Sequence, residues 1–202
     1  EYAGSGRDKP EPANLDTVKV GFIGPILPTV SIATGGRSHE EALGIPMLNG
    51  SRLAIEEWNA RGGYLKRKIP FELMVSNDNG LWGSSGNEII KQAYRDEVFG
   101  MLGRIDGANS HIAIRVALKA EVVMINSGDT DPTFIETNIP WVARVIGDDR
   151  QQAYLLTDYW YRKLNLKKVA IIRSSNRYGR FGVREIRDSA RRMQRPVPIE
   201  MA

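Results

Sequence analysis

The sequence contains no cysteine. Disulfides, thiolate metal sites and thiol catalysis are therefore excluded, and the redox compartment stays open. Histidine is nearly as scarce. His39 and His111 lie far apart, and "HEEAL" at 39–43 lacks the second histidine of a zinc-binding helix. No cofactor or metal is expected from these residues. No segment approaches the roughly 20 apolar residues that cross a bilayer. There is no Walker loop and no Gly-x-Gly-x-x-Gly after a strand; "GFIGPI" has two glycines but no helix start. His111 beside Ser110 suggests a base and a nucleophile, yet no carboxylate stands at a spacing that would orient them. A polar residue in the first turn of a helix is the simpler account. "NGS" at 49–51 matches a glycosylation acceptor, a three-residue pattern common by chance.

What is present is an ordinary globular balance: 202 residues, 42% hydrophobic and 26% charged. Such a length holds one large domain or two small ones. The net charge is +4, and much of the excess sits in Arg177, Arg180, Arg184, Arg187, Arg191, Arg192 and Arg195. Glu185 and Asp188 interrupt this run and no aromatics interleave it, so a solvated helix face is favoured over a nucleic-acid surface.

Residues 1–16 are polar, without periodicity, and read as a flexible leader. "VKVGFIG" (18–24) alternates like a strand, and a Gly- and Pro-rich loop runs from there to about Pro46. "SRLAIEEWNARGG" (51–63) reads as a helix with Ala54, Ile55 and Trp58 on one face and Gly62-Gly63 as its stop. A strand at 69–75 follows. Ser85 and Glu88 then fit a capping box for a helix facing inward through Ile90, Ala93 and Tyr94.

The alternation continues with a strand at 98–102, a helix marked by Ile112, Val116 and Ala120, and a strand at 122–125. "WVARVI" (141–146) is extended, and Asp148 or Asp149 caps a helix carrying Ala153, Leu156, Trp160 and Leu164. A strand at 169–175, a helix with Val183, Ile186, Ala190 and Met193, and a strand beginning near 196 complete the pattern. Apolar strands alternating with helices predict a doubly wound parallel α/β sheet, with ligands beyond the carboxyl ends of the strands. The break at Asn138-Ile139-Pro140 is the best crossing point between two lobes.

Two stretches on that rim stand out. Gly107, Ala108, Asn109 and Ser110 lie between a strand and a helix start, where free amides and the helix dipole favour an anion. "INSGDTDPTF" (125–134) offers Ser127, Gly128 and Thr130 after the next strand. Ordinary capping would also explain either stretch alone. In "NRYGRFG" (176–182), Tyr178 could cover a ligand from a second lobe or pack locally on its helix.

"VKVGFIGPI", "GSRLAIEEWNARGG", "VFGMLGRIDGANSHIA", "MINSGDTDPTF", "PWVARVIGDDRQQA" and "KKVAIIRSSNRYGRFG" occur in an order that resembles the periplasmic leucine/isoleucine/valine-binding proteins, type I solute-binding components of ABC transporters. The resemblance runs from about Val18 to the end. It implies a two-lobe type I fold, with a first lobe over 17–140 and the hinge crossing and start of a second lobe over 141–202. It also implies an N-terminal fragment, since the family's chains are longer. The expected ligand is an amino acid or small carboxylate, delivered to an ABC transporter permease, with no nucleic acid and no catalysis. The expected location is periplasmic or extracellular, after signal removal. The Gly107–Ser110 and Ser127–Thr130 loops would hold the carboxylate, and Tyr178-Gly179 matches the family's aromatic lid. Gly107 stands where the family usually has a serine, and residues 25–49 do not align. The same fold in a ligand-sensing receptor, or an α/β enzyme, stays open at this point.

Overall fold

The computed structural model describes residues 14–30, 36–103, 107–136 and 138–201. The expected leader, residues 1–16, falls almost entirely outside them. Strand β1 (Val18–Gly24) is followed by a two-residue hairpin, β2 (Thr29–Val30) with β3 (Arg37–Ser38). Then come helix α1 (Glu41–Ala60), β4 (Phe71–Asn77), α2 (Trp82–Ile90), β5 (Gly100–Gly103), α3 (Gly107–Ala120), β6 (Val123–Asn126) and β7 (Val142–Arg144). Helix α4 (Asp149–Asp158), β8 (Ala170–Ile172), α5 (Arg177–Arg192) and β9 (Ile199–Met201) complete the order.

Five strands form one parallel sheet in the order β4-β1-β5-β6-β7. The chain steps outward from β1 to β4, then returns to the far side at β5, so the switch point lies beside β1. β8 and β9 pair in parallel in a separate sheet. The core packs Ile23, Met101 and Met124 from the strands against Ile89, Ala113, Ile114 and Ala117 from the helices, closed by Phe134. Burial of these side chains is the main stabilising term, at about 25 cal/mol per Å² of apolar surface.

Several expectations change. The first helix starts at Glu41, ten residues earlier than the periodicity suggested, and holds Pro46 in its interior. Gly44 makes this possible, because a Cβ there would sit 1.8 Å from the Pro25 carbonyl oxygen. The face read through Trp58 is instead half open, with Trp58 55% exposed. Ser85 and Glu88 do not form a capping box: α2 begins at Trp82, Ser85 donates to Asp78 within it, and Glu88 accepts from Ser76 at 2.7 Å. Ile90 and Tyr94 point outward while Ile89, Gln92 and Ala93 are buried, because a π-helical turn at Lys91–Arg95 breaks the 3.6-residue period. β7 lies beyond the expected division at residue 140 yet pairs with β6 in the first sheet. Among the described residues no helix is long and apolar enough to cross a membrane.

Candidate functional site

The loop after β6 is built by its own side chains. Asn126, fully buried, accepts from the amides of Gly128 and Asp129 at 2.8 and 2.7 Å, and its Nδ2 donates to Ser110 at 3.0 Å. Asp129 Oδ1 accepts from the Asp131 amide at 2.9 Å. Asp131 caps the turn at Pro132–Phe134, with Oδ1 accepting from the amide and hydroxyl of Thr133 at 2.9 and 2.7 Å. These polar bonds replace the sheet ladder at the strand end and hold the backbone open along the rim.

The loop after β7 locks onto this one. The Asp149 amide donates to the Thr130 carbonyl at 2.8 Å, and the Thr130 hydroxyl bonds the Asp149 carboxylate. Arg144, its side chain 3% exposed, reaches the Asp131 carbonyl at 2.7 Å and Asp148 at 3.1 Å. Asp148 caps α4 in a capping box with Gln151, one of the two caps the sequence offered.

From the other side comes the start of α5. Asn176 caps it by accepting from the Gly179 amide at 3.0 Å. Gly179 must lack a side chain, since a Cβ would lie 2.1 Å from the Ser174 carbonyl oxygen. Arg177 crosses to Asp131, with Nε at 2.8 Å and Nη2 at 2.6 Å from Oδ2. Its guanidinium also stacks 4.1 Å from the centre of the Phe181 ring. Between the two sides lies a cleft of about 470 Å³, bounded by Glu40 and Leu43 at the start of α1, by Gly107, Gly128 to Asp131 and Asp149, and by Asn176, Arg177, Tyr178 and Phe181.

Of the residues singled out from sequence, Gly107, Gly128, Thr130 and Tyr178 meet at this cleft. Tyr178 is 61% exposed rather than packed on its own helix. Asn109 and Ser110 do not reach the cleft: they are 1% and 0% exposed, turned inward by the first turn of α3. Ser127 is half-buried outside the lining, and of Ala108 only the helical backbone is described. His111 bridges the Gly107 carbonyl at 2.6 Å and the Thr133 hydroxyl at 3.0 Å, a structural role in the first turn.

The sequence reading missed the charges. Asp129, Asp131 and Asp149 are 2%, 5% and 6% exposed. Burial pushes the Asp129 carboxyl above the ordinary range, and the charge of Asp131 adds to this despite the Asp131 amide and Ser110 hydroxyl. Burial likewise raises Asp149, against the Thr130 hydroxyl and with the charges of Asp131 and Asp148. Asp131 goes the other way. Burial alone would raise it, but the Thr133 hydroxyl and amide together with Arg177 hold it below the ordinary range.

A family model described as periplasmic binding protein matches residues 17–197. The chain belongs to this family. A Leu/Ile/Val-binding protein of Rhizobium johnstonii is 28% identical over 81% of this chain and 41% of its own length. A leucine-specific-binding protein of Salmonella typhimurium is 23% identical over 69% of the chain and 37% of its own. Among solved structures, a branched-chain amino acid transporter substrate-binding protein from Streptococcus pneumoniae, in complex with isoleucine, superposes with a TM-score of 0.74. It is 20% identical and matched over 91% of this chain and 49% of that one. A solute-binding protein of an ABC transporter from Rhodopseudomonas palustris, in complex with 3,4-dihydroxybenzoic acid, gives 0.75 at 19% identity, over 92% and 47%. The type I periplasmic-binding-protein fold is therefore shown, and the chain spans less than half the length of these relatives.

Proposed function

We propose that this periplasmic binding protein captures a small solute, an amino acid or small carboxylate, in the cleft and hands it to an ABC transporter permease outside the cytoplasm, without transforming it. The five-stranded sheet with α1 to α3 forms one lobe, and α4, α5, β8 and β9 form the beginning of a second. The observation that carries this reading is the cleft itself. A space of about 470 Å³ falls within the range of roughly 300–1,000 Å³ typical of small-molecule sites, and it collects residues from both sides. Relatives named for leucine, isoleucine and valine, and a neighbour holding isoleucine, support the amino-acid class. A neighbour holding a dihydroxybenzoate keeps simple carboxylates in the class.

Thermal-shift measurements on the intact protein with amino acids and aromatic carboxylates test this. A ligand at 100 times its Kd adds about 2.7 kcal/mol to stability. Thr130→Ala should then weaken the ligand about tenfold, by removing a hydroxyl at the cleft wall. An unchanged affinity in that variant would remove Thr130 from the site. Conversion of the bound ligand on incubation would replace binding with catalysis.

A further inference from the structure

Resting on the reading of the cleft as a solute site, we propose that Asp129 is the counter-ion for a positively charged nitrogen of the ligand, so that the site accepts ammonium-bearing solutes and rejects simple carboxylic acids. Asp129 lines the cleft and is 2% exposed. The Asp131 amide holds its Oδ1 at 2.9 Å and the Ser110 hydroxyl also bonds the carboxyl group, while Oδ2 has no hydrogen-bond partner among the described residues. It belongs to no ion pair among the described residues: Arg177 is committed to Asp131 and Arg144 to Asp148, and His111, whose charge bears on it, bonds the Gly107 carbonyl and the Thr133 hydroxyl. A buried carboxylate oxygen without a donor is costly, and an incoming N–H group relieves that cost.

The neighbourhood points the same way. Among the described residues Glu40, Asp129, Asp131 and Asp149 line the cleft with one cation, Arg177, while the charge of Arg144 also acts on Asp149, so an added anion without its own positive charge meets like charge. The Thr130 hydroxyl donates to Asp149, which leaves its lone pairs to accept from a ligand N–H. Burial raises the Asp129 carboxyl, as expected of an acid lacking its counter-ion. Among the described residues no group of three or more carboxylate or imidazole side chains is placed to hold a metal ion, so these residues give no support to a metal as the partner of Asp129. A zwitterionic amino acid satisfies the site: its ammonium meets Asp129, and its carboxylate meets the positive end of α3 beside Gly107.

Calorimetric titration of the intact protein with matched triples tests this. Each triple is an α-amino acid, the acid lacking its amine, and the amine lacking its carboxylate, taken for leucine, phenylalanine and arginine. The first triple is leucine, 4-methylpentanoate and 3-methylbutylamine. The deaminated acid should bind at least about tenfold, and up to roughly 100-fold, more weakly than its parent. Asp129→Asn should weaken the amino acid by a similar factor and close the gap to the deaminated acid. The comparison between ligands needs no variant, so it stands even if Asp129→Asn fails to fold. A deaminated acid or 3,4-dihydroxybenzoate binding as tightly as any amino acid overturns the counter-ion role and leaves the solute-binding reading intact. Silence from every triple and from the benzoate overturns both.

Discussion

Replacing Asp131 by alanine separates the work of its two oxygens. Oδ1 takes the amide and hydroxyl of Thr133, and Oδ2 takes Nε and Nη2 of Arg177. A lost cap costs about 1 kcal/mol. The hydroxyl bond is worth about another 1 kcal/mol. The guanidinium side chain is 33% exposed, so water competes for it and the ion pair contributes only about 0–1 kcal/mol. Asp131→Ala should therefore cost about 2–3 kcal/mol in all. With a urea slope of about 2 kcal/mol per molar, the unfolding midpoint falls by roughly 1–1.5 M. Arg177→Ala loses the ion pair and the stacking on Phe181, about 0.5–2 kcal/mol together and a shift of roughly 0.3–1 M. Asp131→Asn keeps an acceptor for Thr133 and loses the ion pair alone, a shift below about 0.5 M.

The pH dependence has a definite sign. The folded-state carboxyl lies below its ordinary value of 3.8, so its stabilisation is complete above that value and is lost as pH falls through the lower folded one. The gap between wild type and Asp131→Asn should stay constant from neutral pH to about 5 and shrink below about 4. Equal midpoints for Asp131→Ala and Arg177→Ala, or a gap that widens in acid, would refute this account.

Other outcomes are open to direct test. Gly107→Ala places a Cβ 3.2 Å from Asp131 Oδ2 and 3.3 Å from both Arg177 Nε and Asp129 Oδ1, so it should lower the melting temperature by a few degrees. A double-mutant cycle should show the loss reduced in an Arg177→Ala background, because the flexible obstacle is gone. Gly179→Ala meets the Ser174 backbone at 2.1 Å, and should cost about 1–3 kcal/mol and weaken the ligand by shifting Tyr178, as urea unfolding and titration would show. For Asp129 the raised carboxyl makes the ligand-free protein lose stability as pH rises from the ordinary value of 3.8 through the higher folded one; Asp129→Asn escapes this, so its melting temperature relative to wild type should climb as pH rises above about 4.

The order of strands and helices was legible because each apolar run is short and bounded by polar turns. Val18–Gly24, Val123–Asn126 and the cap at Asp148 are local signals that tertiary packing reinforced, whereas the cap at Asn176 went unread. Where the reading failed, distant partners decided. Ser85 looked like a cap until Asp78 took its hydroxyl, and the stretch through Gly44 and Pro46 looked like a loop although Gly44 lies against the Pro25 backbone inside a helix. The arginine run of α5 proved to be a paired face: Arg184 meets Glu185, Arg187 meets Glu200 and Arg191 meets Asp188. The anion-friendly reading of "INSGDTDPTF" rested on amides and hydroxyls. It could not register that two of its aspartates end up buried.

That burial changes what the rim can recognise. With Asp131 in place, Arg177 is drawn across the cleft and spent on it, and the guanidinium needs the space that a side chain at 107 would fill. Glycine at 107, aspartate at 131 and arginine at 177 thus form one interdependent set, and a serine at 107 would disturb the other two. The consequence falls on Asp129. Among the described residues Asp129 is in no ion pair and its Oδ2 has no donor, so an N–H group on a ligand would complete it. A ligand bringing its own positive nitrogen supplies that missing charge, whereas one bringing only a carboxylate adds to the excess.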